Sequence, residues 1–594
     1  MPVRALTEER LQAARQALEQ VDARARILSN LRLAAFLFLV AAGGFALWEN
    51  TPRGMGAVAA GLVLLVVVIV RHEMVLRCAV EARRRVQYWA DGLDRLESKW
   101  AGRGTPGSAF LDEHHLYAAD LDLFGSGSVF ELLCSARTGL GERRLADWLL
   151  HPVTPDVAGA RQQAVRELVP NHGLREDLAM LGPDIRAYVH PEALTRWGGG
   201  PFLRFARWEK VLARLLPVAT IAALIAWAIW PVPPSAVALI VFVQVMFALR
   251  LRDRVLRALA PVDFAAKDLG VLSLVLRRFE EERFTSSLLA SLREKLHTGG
   301  TAPSERIREL SRLSELLDSR LNQAFAVIAP ILLWSTNCAI AIEDWRAKNG
   351  PRLGVWLDAV AELEALGSLS RYAWEHPGDC WPQFSESGQS YQAAGLAHPL
   401  IREDLAVRND VSLNERESLW IVSGSNMSGK STLLRAVGLS VVLAHAGAPV
   451  RAHSLLLAPF RVGASIRVSD NLQEGESRFY AEIRRIRDVL ELAREHPPVL
   501  FLLDEIFSGT NSHDRRLGAQ AILRSLVERG ATGLVTTHDL ALTRIEETLE
   551  GRARNVHFED EIVDGKMRFD YRMRQGVVSR SNALELMRSI GIDL

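Results

Sequence analysis

Residues 424–432 read Gly-Ser-Asn-Met-Ser-Gly-Lys-Ser-Thr. Immediately ahead, Leu419-Trp420-Ile421-Val422 is a short apolar run suited to a buried strand. Immediately behind, Leu433 to His445 carries apolar residues at helical spacing. Strand, glycine-rich turn and helix is the setting a phosphate-binding loop needs. Gly424 and Gly429 let the backbone turn tightly and approach phosphate oxygens. The free N–H groups of the helix start then point at the anion. On this reading Gly424, Ser425, Asn426, Met427, Ser428, Gly429, Lys430, Ser431 and Thr432 hold ATP. Lys430 reaches the β- and γ-phosphates, and Ser431 helps to hold Mg²⁺.

The sequence downstream supplies partners for that loop. Val499 to Leu503 is an apolar strand ending in Asp504-Glu505. An acid at the carboxyl end of such a strand lies beside the loop, so Asp504 is the second expected Mg²⁺ ligand. Glu505, one residue on, is placed to orient or deprotonate an attacking water. A third strand, Gly533 to Thr537, ends at His538, whose imidazole can hydrogen-bond a γ-phosphate and sense its loss. The expected catalytic set is therefore Lys430, Glu505 and His538. Between loop and acids lies Glu474-Gly475-Glu476-Ser477, opening a helix. Read alone, Ser477 is a helix cap. Its hydroxyl and the nearby N–H groups also suit an anion, including one held by another subunit.

Working outward, the 594-residue chain is long enough for several domains. A net charge of +1 excludes a global basic field that draws in nucleic acid, so any DNA contact must come from a local patch. Cys78, Cys134, Cys338 and Cys380 show no paired spacing, which argues against zinc and a disulfide framework and suits a reducing compartment. The mean hydropathy of +0.07 has a local cause. Leu33–Trp48 and Gly54–Val70 are uncharged runs around a polar turn, preceded by a charged amphipathic helix over 1–30. Leu215–Trp230 and Ser235–Leu249 form a second pair around Pro231–Pro234, interrupted by Pro217 and Gln244. Each run is near the lower length for crossing a bilayer. Buried core helices are the alternative, but the first pair shows no polar face, so two transmembrane hairpins are expected. Arginines flank both pairs, including Arg24, Arg26, Arg32, Arg83, Arg84 and Arg85 around the first, and Arg204, Arg207, Arg250 and Arg254 around the second. The positive-inside rule then puts both termini and all large segments in the cytoplasm of a multi-pass cell-membrane protein.

Several motifs together carry a resemblance to the MutS family of ATPases, within the wider ABC-type ATPases. SGSNMSGKST resembles the family's phosphate loop, LLDEIFSGTN its Walker B segment, and TTHDL its switch histidine. SDNLQEGESRFYAEI resembles the signature segment, with Arg478 where the family usually has Thr. His398-Pro399 and Asn409-Asp410 resemble the segment near the adenine, and 576–591 the closing region used in dimerisation. SVFELLCSARTGLGERRLADWLLHPVT resembles the start of the family's helical core. The resemblance implies a homodimer through the ATPase domain, with Ser477 reaching the partner's γ-phosphate in trans, His398 near the base, and double-stranded DNA or a DNA-bound repair protein as partner. The family's mismatch-reading domain finds no counterpart, and no added nuclease domain is expected.

The expected fold class is multidomain α plus α/β. Residues 1–107 form the N-terminal helix and first hairpin, and 108–200 the start of a helical core. Residues 201–260 form the second hairpin, 261–390 long lever-like helices punctuated by Gly299-Gly300 and Gly350-Pro351, and 391–594 an ABC-type ATPase domain. The expected function is a membrane-tethered ATPase using ATP and Mg²⁺ as a dimer, coupled to DNA. The competing readings are a nucleotide-switched membrane scaffold without DNA and an ABC-type transporter. Against the transporter, the apolar runs lack charges lining a path, and EGESRF is not an LSGGQ-like signature.

Overall fold

The structure is a computed structural model. It describes residues 3–49, 52–181, 191–260, 266–297, 300, 302–385, 388–425, 427–467, 478–507, 512–563 and 566–578. They fall into two compact units: Met1–Arg103 with His172–Met180, and Gly104–Asn171 with Leu181–Leu594.

In the first unit, helices Val3–Glu49 and Pro52–Leu96 pack along each other. The charged N-terminal helix and the first apolar run are thus one continuous helix. Glycine permits close approach where the pair meets: a Cβ on Gly54 would fall 2.7 Å from the Ala46 backbone. Ion pairs Arg83–Asp22 (3.1 Å) and Arg4–Glu97 (3.0 Å) join the helices away from their apolar part. In each helix only 11% of the apolar window is buried. Leu33, Phe36, Val63 and Val66 are among the large apolar side chains left without protein cover.

The second unit combines helices with two sheets. Its helical part is built on Trp334–Glu375, a 42-residue helix. Gly350-Pro351 does not interrupt it. Proline forfeits one helical hydrogen bond. Packing overrides this local stop signal: the Gly198 carbonyl approaches so closely that a Cβ on Gly350 would lie 2.4 Å from it. Glu364, buried on the same helix, accepts a hydrogen bond from the Arg137 N–H at 3.0 Å and one from the Thr138 hydroxyl. The latter starts helix Gly139–Leu150 as its N-cap. Burial pushes the Glu364 carboxyl up to about 7 against those hydrogen bonds. Residues 128–150 carry two separate helices, Val129–Leu133 and Gly139–Leu150. Helices Arg207–Ile229 and Pro234–Leu259 form a second pair, with 17% of each apolar window buried. Four helices in all are long and apolar enough to cross a membrane among the described residues.

The strands are β1 Gln383–Phe384, β2 Tyr391–Leu396, β3 Asn409–Leu413, β4 Leu419–Ser423, β5 Ser454–Leu457, β6 Arg461–Ser465, β7 Val499–Asp504, β8 Thr532–Thr537, β9 Ala553–Val563 and β10 Lys566–Gln575. The larger sheet has the order β10-β9-β4-β8-β7-β6, parallel except for the antiparallel edge β10. β4 and β8 are buried at every position, as expected of parallel strands covered on both faces. Gly533 is required in β8, since a Cβ there would fall 2.1 Å from the Phe501 carbonyl oxygen. The smaller sheet, β1-β5-β2-β3, adjoins it in sequence. This arrangement is the mixed helical plus α/β class read from the sequence.

Candidate functional site

Strand β4 delivers the chain into the glycine-rich turn, and helix Lys430–Ala446 carries it away. Gly424 (φ 150°), Met427 (φ 71°) and Gly429 (φ 106°) have positive φ, which bends the backbone so that successive N–H groups can converge. A side chain at Gly424 would be strained by this φ and crowded, with its Cβ 3.0 Å from the Phe558 carbonyl oxygen. The helix is sealed at its far end by Gly447 in the left-handed region, with the Ala448 N–H donating to the Leu443 carbonyl at 2.9 Å. Its lower face packs on β7 at Gly438, where a Cβ would fall 2.7 Å from Leu502. The loop is therefore held at the carboxyl end of the sheet by close packing.

Parallel register brings the acids to the same edge. Asp504 at the end of β7 is paired with Thr536 of β8. The Thr536 hydroxyl donates to the Asp504 carboxylate and accepts the Glu505 N–H at 3.0 Å. Glu505 itself has φ 46°, a left-handed conformation that redirects its side chain from the strand. Its carboxylate lies 3.6 Å from the Lys430 Nζ on one side and 3.5 Å from the His538 Nδ1 on the other. Lys430, buried, also donates to the Gly424 and Ser425 carbonyls at 3.0 and 2.8 Å. Lysine, carboxylate and imidazole are thus assembled from three chain segments.

A cavity of about 820 Å³ opens beside this group. Met427, Gly429, Lys430, Ser431, Thr432, Asp504 and Glu505 line its polar end. Leu405, Phe558 and Tyr571 give it an apolar wall beside His398, and Tyr571 lies against the loop, since a Cβ on Gly429 would fall 3.3 Å from its ring. Burial first, and then the positive fields of Arg435 and Arg451, push the His398 imidazole down to about 4, so it is neutral at physiological pH. Its Nδ1 accepts the Leu400 N–H at 3.3 Å. His538 does not line the cavity. It sits half exposed in a small cleft with Glu505, Arg515 and Asp539, and reaches the site through Glu505. Asn426 and Ser477 lie outside the described residues.

Thr536 and the apolar wall were not singled out from the sequence. Tyr571 belongs to β10, at an irregularity in its pairing with β9 between Phe569 and Met573, and has φ 55°. Asn409 holds it there: its side-chain amide donates to the Tyr571 carbonyl at 3.0 Å and accepts the Met573 N–H at 2.8 Å. The only local signal for Tyr571 is an aromatic within a charged strand, which gives no hint of the loop it faces. Thr536 had a stronger signal, standing just before His538 in the strand paired with the acids.

The polar end fits a nucleotide phosphate and a hard divalent cation. The buried Ser425 and Ser428 hydroxyls have no hydrogen-bond partner among the described residues. Ser431 and Asp504 offer a hydroxyl and a carboxylate on the same cavity wall. Mg²⁺ typically takes one or two such protein oxygens and completes its shell with phosphate and water. No cluster of three or more His, Cys, Asp or Glu able to hold a metal occurs among the described residues, so an all-protein cage is absent from them.

A network behind the site ties it to the helical part of the unit. The buried Asp120 carboxylate accepts the N–H groups of Ile466 (2.6 Å) and Arg467 (2.7 Å), just past β6. Arg485, on helix Arg478–Leu492, lies 3.5 Å from the same carboxylate. Arg435, on the helix after the loop, donates to the Asp120 carbonyl at 3.1 Å and pairs with Asp122 at 3.2 Å. Burial raises the Asp120 carboxyl above its ordinary value despite these donors. Residues 120–122 therefore touch the chain just past β6, the helix that carries Arg485 and the helix after the loop.

Comparison with known proteins agrees with this geometry. A family model described as MutS domain V matches residues 420–593. "Endonuclease MutS2" of Thermus thermophilus is 39% identical over 243 residues, covering 39% of this chain and 30% of the relative. "DNA mismatch repair protein MutS" of a Geobacillus species is 32% identical over 242 residues, covering 40% of this chain and 28% of the relative. The protein of the same name from Shouchella clausii is 32% identical over 239 residues, covering 39% and 27%. The chain thus spans less than a third of the length of these relatives.

Proposed function

We propose that this chain, whose residues 420–593 match MutS domain V, is a MutS-family, membrane-tethered, Mg²⁺-dependent ATPase that works as a homodimer coupled to DNA. The observation that carries the ATPase reading is Glu505 held between Lys430 and His538 at the mouth of the cavity that Ser431 and Asp504 line. ATP lies with its phosphates against the loop and its base between His398, Leu405 and Tyr571. Lys430 leaves the Gly424 and Ser425 carbonyls to meet the β- and γ-phosphates. Ser431 and Asp504 hold Mg²⁺, which when bound neutralises charge on the phosphate oxygens. Glu505 orients the attacking water and takes its proton. His538 steadies the Glu505 carboxylate, and Thr536 fixes the backbone from which it projects. Neutral His398 adds no charge beside the base.

Ser477 is assigned to the partner's nucleotide, on the resemblance of its segment to the family signature. The membrane reading rests on four helices of sufficient length whose apolar windows are largely uncovered. Their arginine-rich flanks support a cytoplasmic ATPase and cytoplasmic termini. The DNA reading rests on the relatives, two of which are named for mismatch repair and one as an endonuclease. The test is steady-state ATP hydrolysis by the full chain in lipid nanodiscs, with no DNA and with duplex, mismatched or branched DNA over a range of salt. Stimulation that weakens with salt is expected. Hydrolysis unaffected by every DNA at low salt would remove DNA from the proposal and leave the ATPase.

A further inference from the structure

Residues 321–342 contain no charged side chain; Arg320 and Glu343 bound the run. Only its second part is a long helix, beginning at Trp334. Before it lie the single-turn helix Gln323–Ala326 and a series of turns, with Leu333 in the left-handed region (φ 47°). The segment is irregular backbone with strongly apolar side chains. Leu321 and Val327 are each 75% exposed, and Ile328 is also exposed. In water this combination has little to recommend it, and in lipid it is tolerated only where its polar backbone finds partners within the protein.

Those partners are present. Gln244, buried in helix Pro234–Leu259, donates its amide to the Pro330 and Ile331 carbonyls at 3.2 and 2.9 Å. Its own oxygen accepts the Thr220 hydroxyl of helix Arg207–Ile229 at 2.5 Å. Asn337 donates to the Leu332 and Leu333 carbonyls at 3.2 and 3.3 Å. It also donates to the Ala213 carbonyl at 3.0 Å. Ala213 is the residue four before Pro217, whose missing N–H frees that carbonyl within the helix. The two features that interrupt the second apolar pair in the sequence, Pro217 and Gln244, are thus both used to seat this segment.

We infer that residues 321–333 form a third lipid-embedded element, an irregular segment entering from the cytoplasmic side and docked on the second helix pair through Gln244 and Asn337. The inference rests on the membrane reading of that pair. The depth follows from the helix: Gln244 lies on the order of 9 Å beyond Arg250 at about 1.5 Å per residue, within the uncharged part of its helix. Leu321, Val327 and Ile328 are exposed, as are Val218 and Phe242 on the pair to which the segment is docked. Trp334, donating its indole N–H to the Leu316 carbonyl at 2.6 Å, suits the boundary where such rings collect. The occupant of this surface is the acyl layer of the bilayer.

The test uses the full chain without its native cysteines, in lipid nanodiscs that leave both aqueous faces open. Single variants V327C, V218C, F242C and R416C are reacted with a charged, membrane-impermeant maleimide. R416C reports an exposed turn of the ATPase domain. We expect V327C, V218C and F242C each to react at least tenfold more slowly than R416C. Adding Q244L to V327C should raise its rate several-fold, because the Pro330 and Ile331 carbonyls lose their donor. V327C reacting as fast as R416C while V218C and F242C stay slow would overturn the embedded segment and leave the hairpin. All four reacting at one rate would overturn the membrane reading itself. An unchanged V327C rate on adding Q244L would overturn docking through Gln244.

Discussion

Thr536→Val removes one oxygen from the site without altering the shape of a fully buried side chain. In the native protein that oxygen donates to Asp504 and accepts the Glu505 N–H at 3.0 Å. The valine removes both hydrogen bonds of these half-buried groups, each worth about 0.5–1.5 kcal/mol. Glu505 is already in a left-handed conformation that costs on the order of 1–3 kcal/mol and persists only because its surroundings hold it. Losing the hydrogen bond lets the carboxylate leave its position between Lys430 and His538. If 1–3 kcal/mol of that positioning is lost from the transition state, kcat falls by about 5- to 150-fold. Thr536 does not line the nucleotide cavity, so KM for ATP should stay within about threefold. Thr536→Ser restores the hydroxyl and should retain most of kcat. The assay is steady-state phosphate release, with nucleotide binding measured separately. Wild-type kcat in Thr536→Val would refute the view that this hydroxyl positions Glu505.

Glu364 makes stability depend on pH. Its folded-state carboxyl titrates near 7, against about 4.3 in an unfolded chain. A raised acid pKa stabilises the fold below the unfolded value, and that contribution is lost as pH rises toward 7. The shift corresponds to about 4 kcal/mol, so the apparent Tm of solubilised protein should fall from pH 5 to pH 7.5, and Glu364→Gln should flatten that slope. A Ser477→Arg subunit and a Lys430→Ala subunit should each be inactive alone yet recover part of the hydrolysis when mixed, because one composite site keeps both functional halves. Mixing without recovery, in heterodimers shown to form, would return Ser477 to a helix cap. Carbonate washing of cell membranes should leave the protein in the pellet, and its release would contradict the proposal that the four apolar helices span a membrane.

What could be read from the sequence depended on how far apart the cooperating residues lie. The strands carrying Leu419–Val422, Val499–Leu503 and Gly533–Thr537 announce themselves locally, as short apolar runs ending in polar residues. They coincide with β4, β7 and β8, and the loop lies between its strand and helix. The apolar wall did not announce itself, because Tyr571 reaches the loop only through the pairing of β10 with β9 and the grip of Asn409. The opposite error arose at Gly350-Pro351, where a strong local stop signal is overridden by the close approach of Gly198. Pro217 and Gln244 looked like flaws in an apolar pair for the same reason. Their partners, Asn337 and the carbonyls of Pro330 and Ile331, lie roughly 90–120 residues on.

The central claim is that Lys430 and Glu505 divide binding from hydrolysis in one ATP site. The most direct measurement compares bound and hydrolysed ATP, with Mg²⁺ present, in the wild type, Lys430→Ala and Glu505→Gln in lipid nanodiscs. The account predicts turnover by the wild type and little bound nucleotide in Lys430→Ala. In Glu505→Gln it predicts intact ATP bound at wild-type occupancy with hydrolysis slowed at least a hundredfold, since the amide keeps the shape and loses the base. Hydrolysis by Glu505→Gln at the wild-type rate would contradict it.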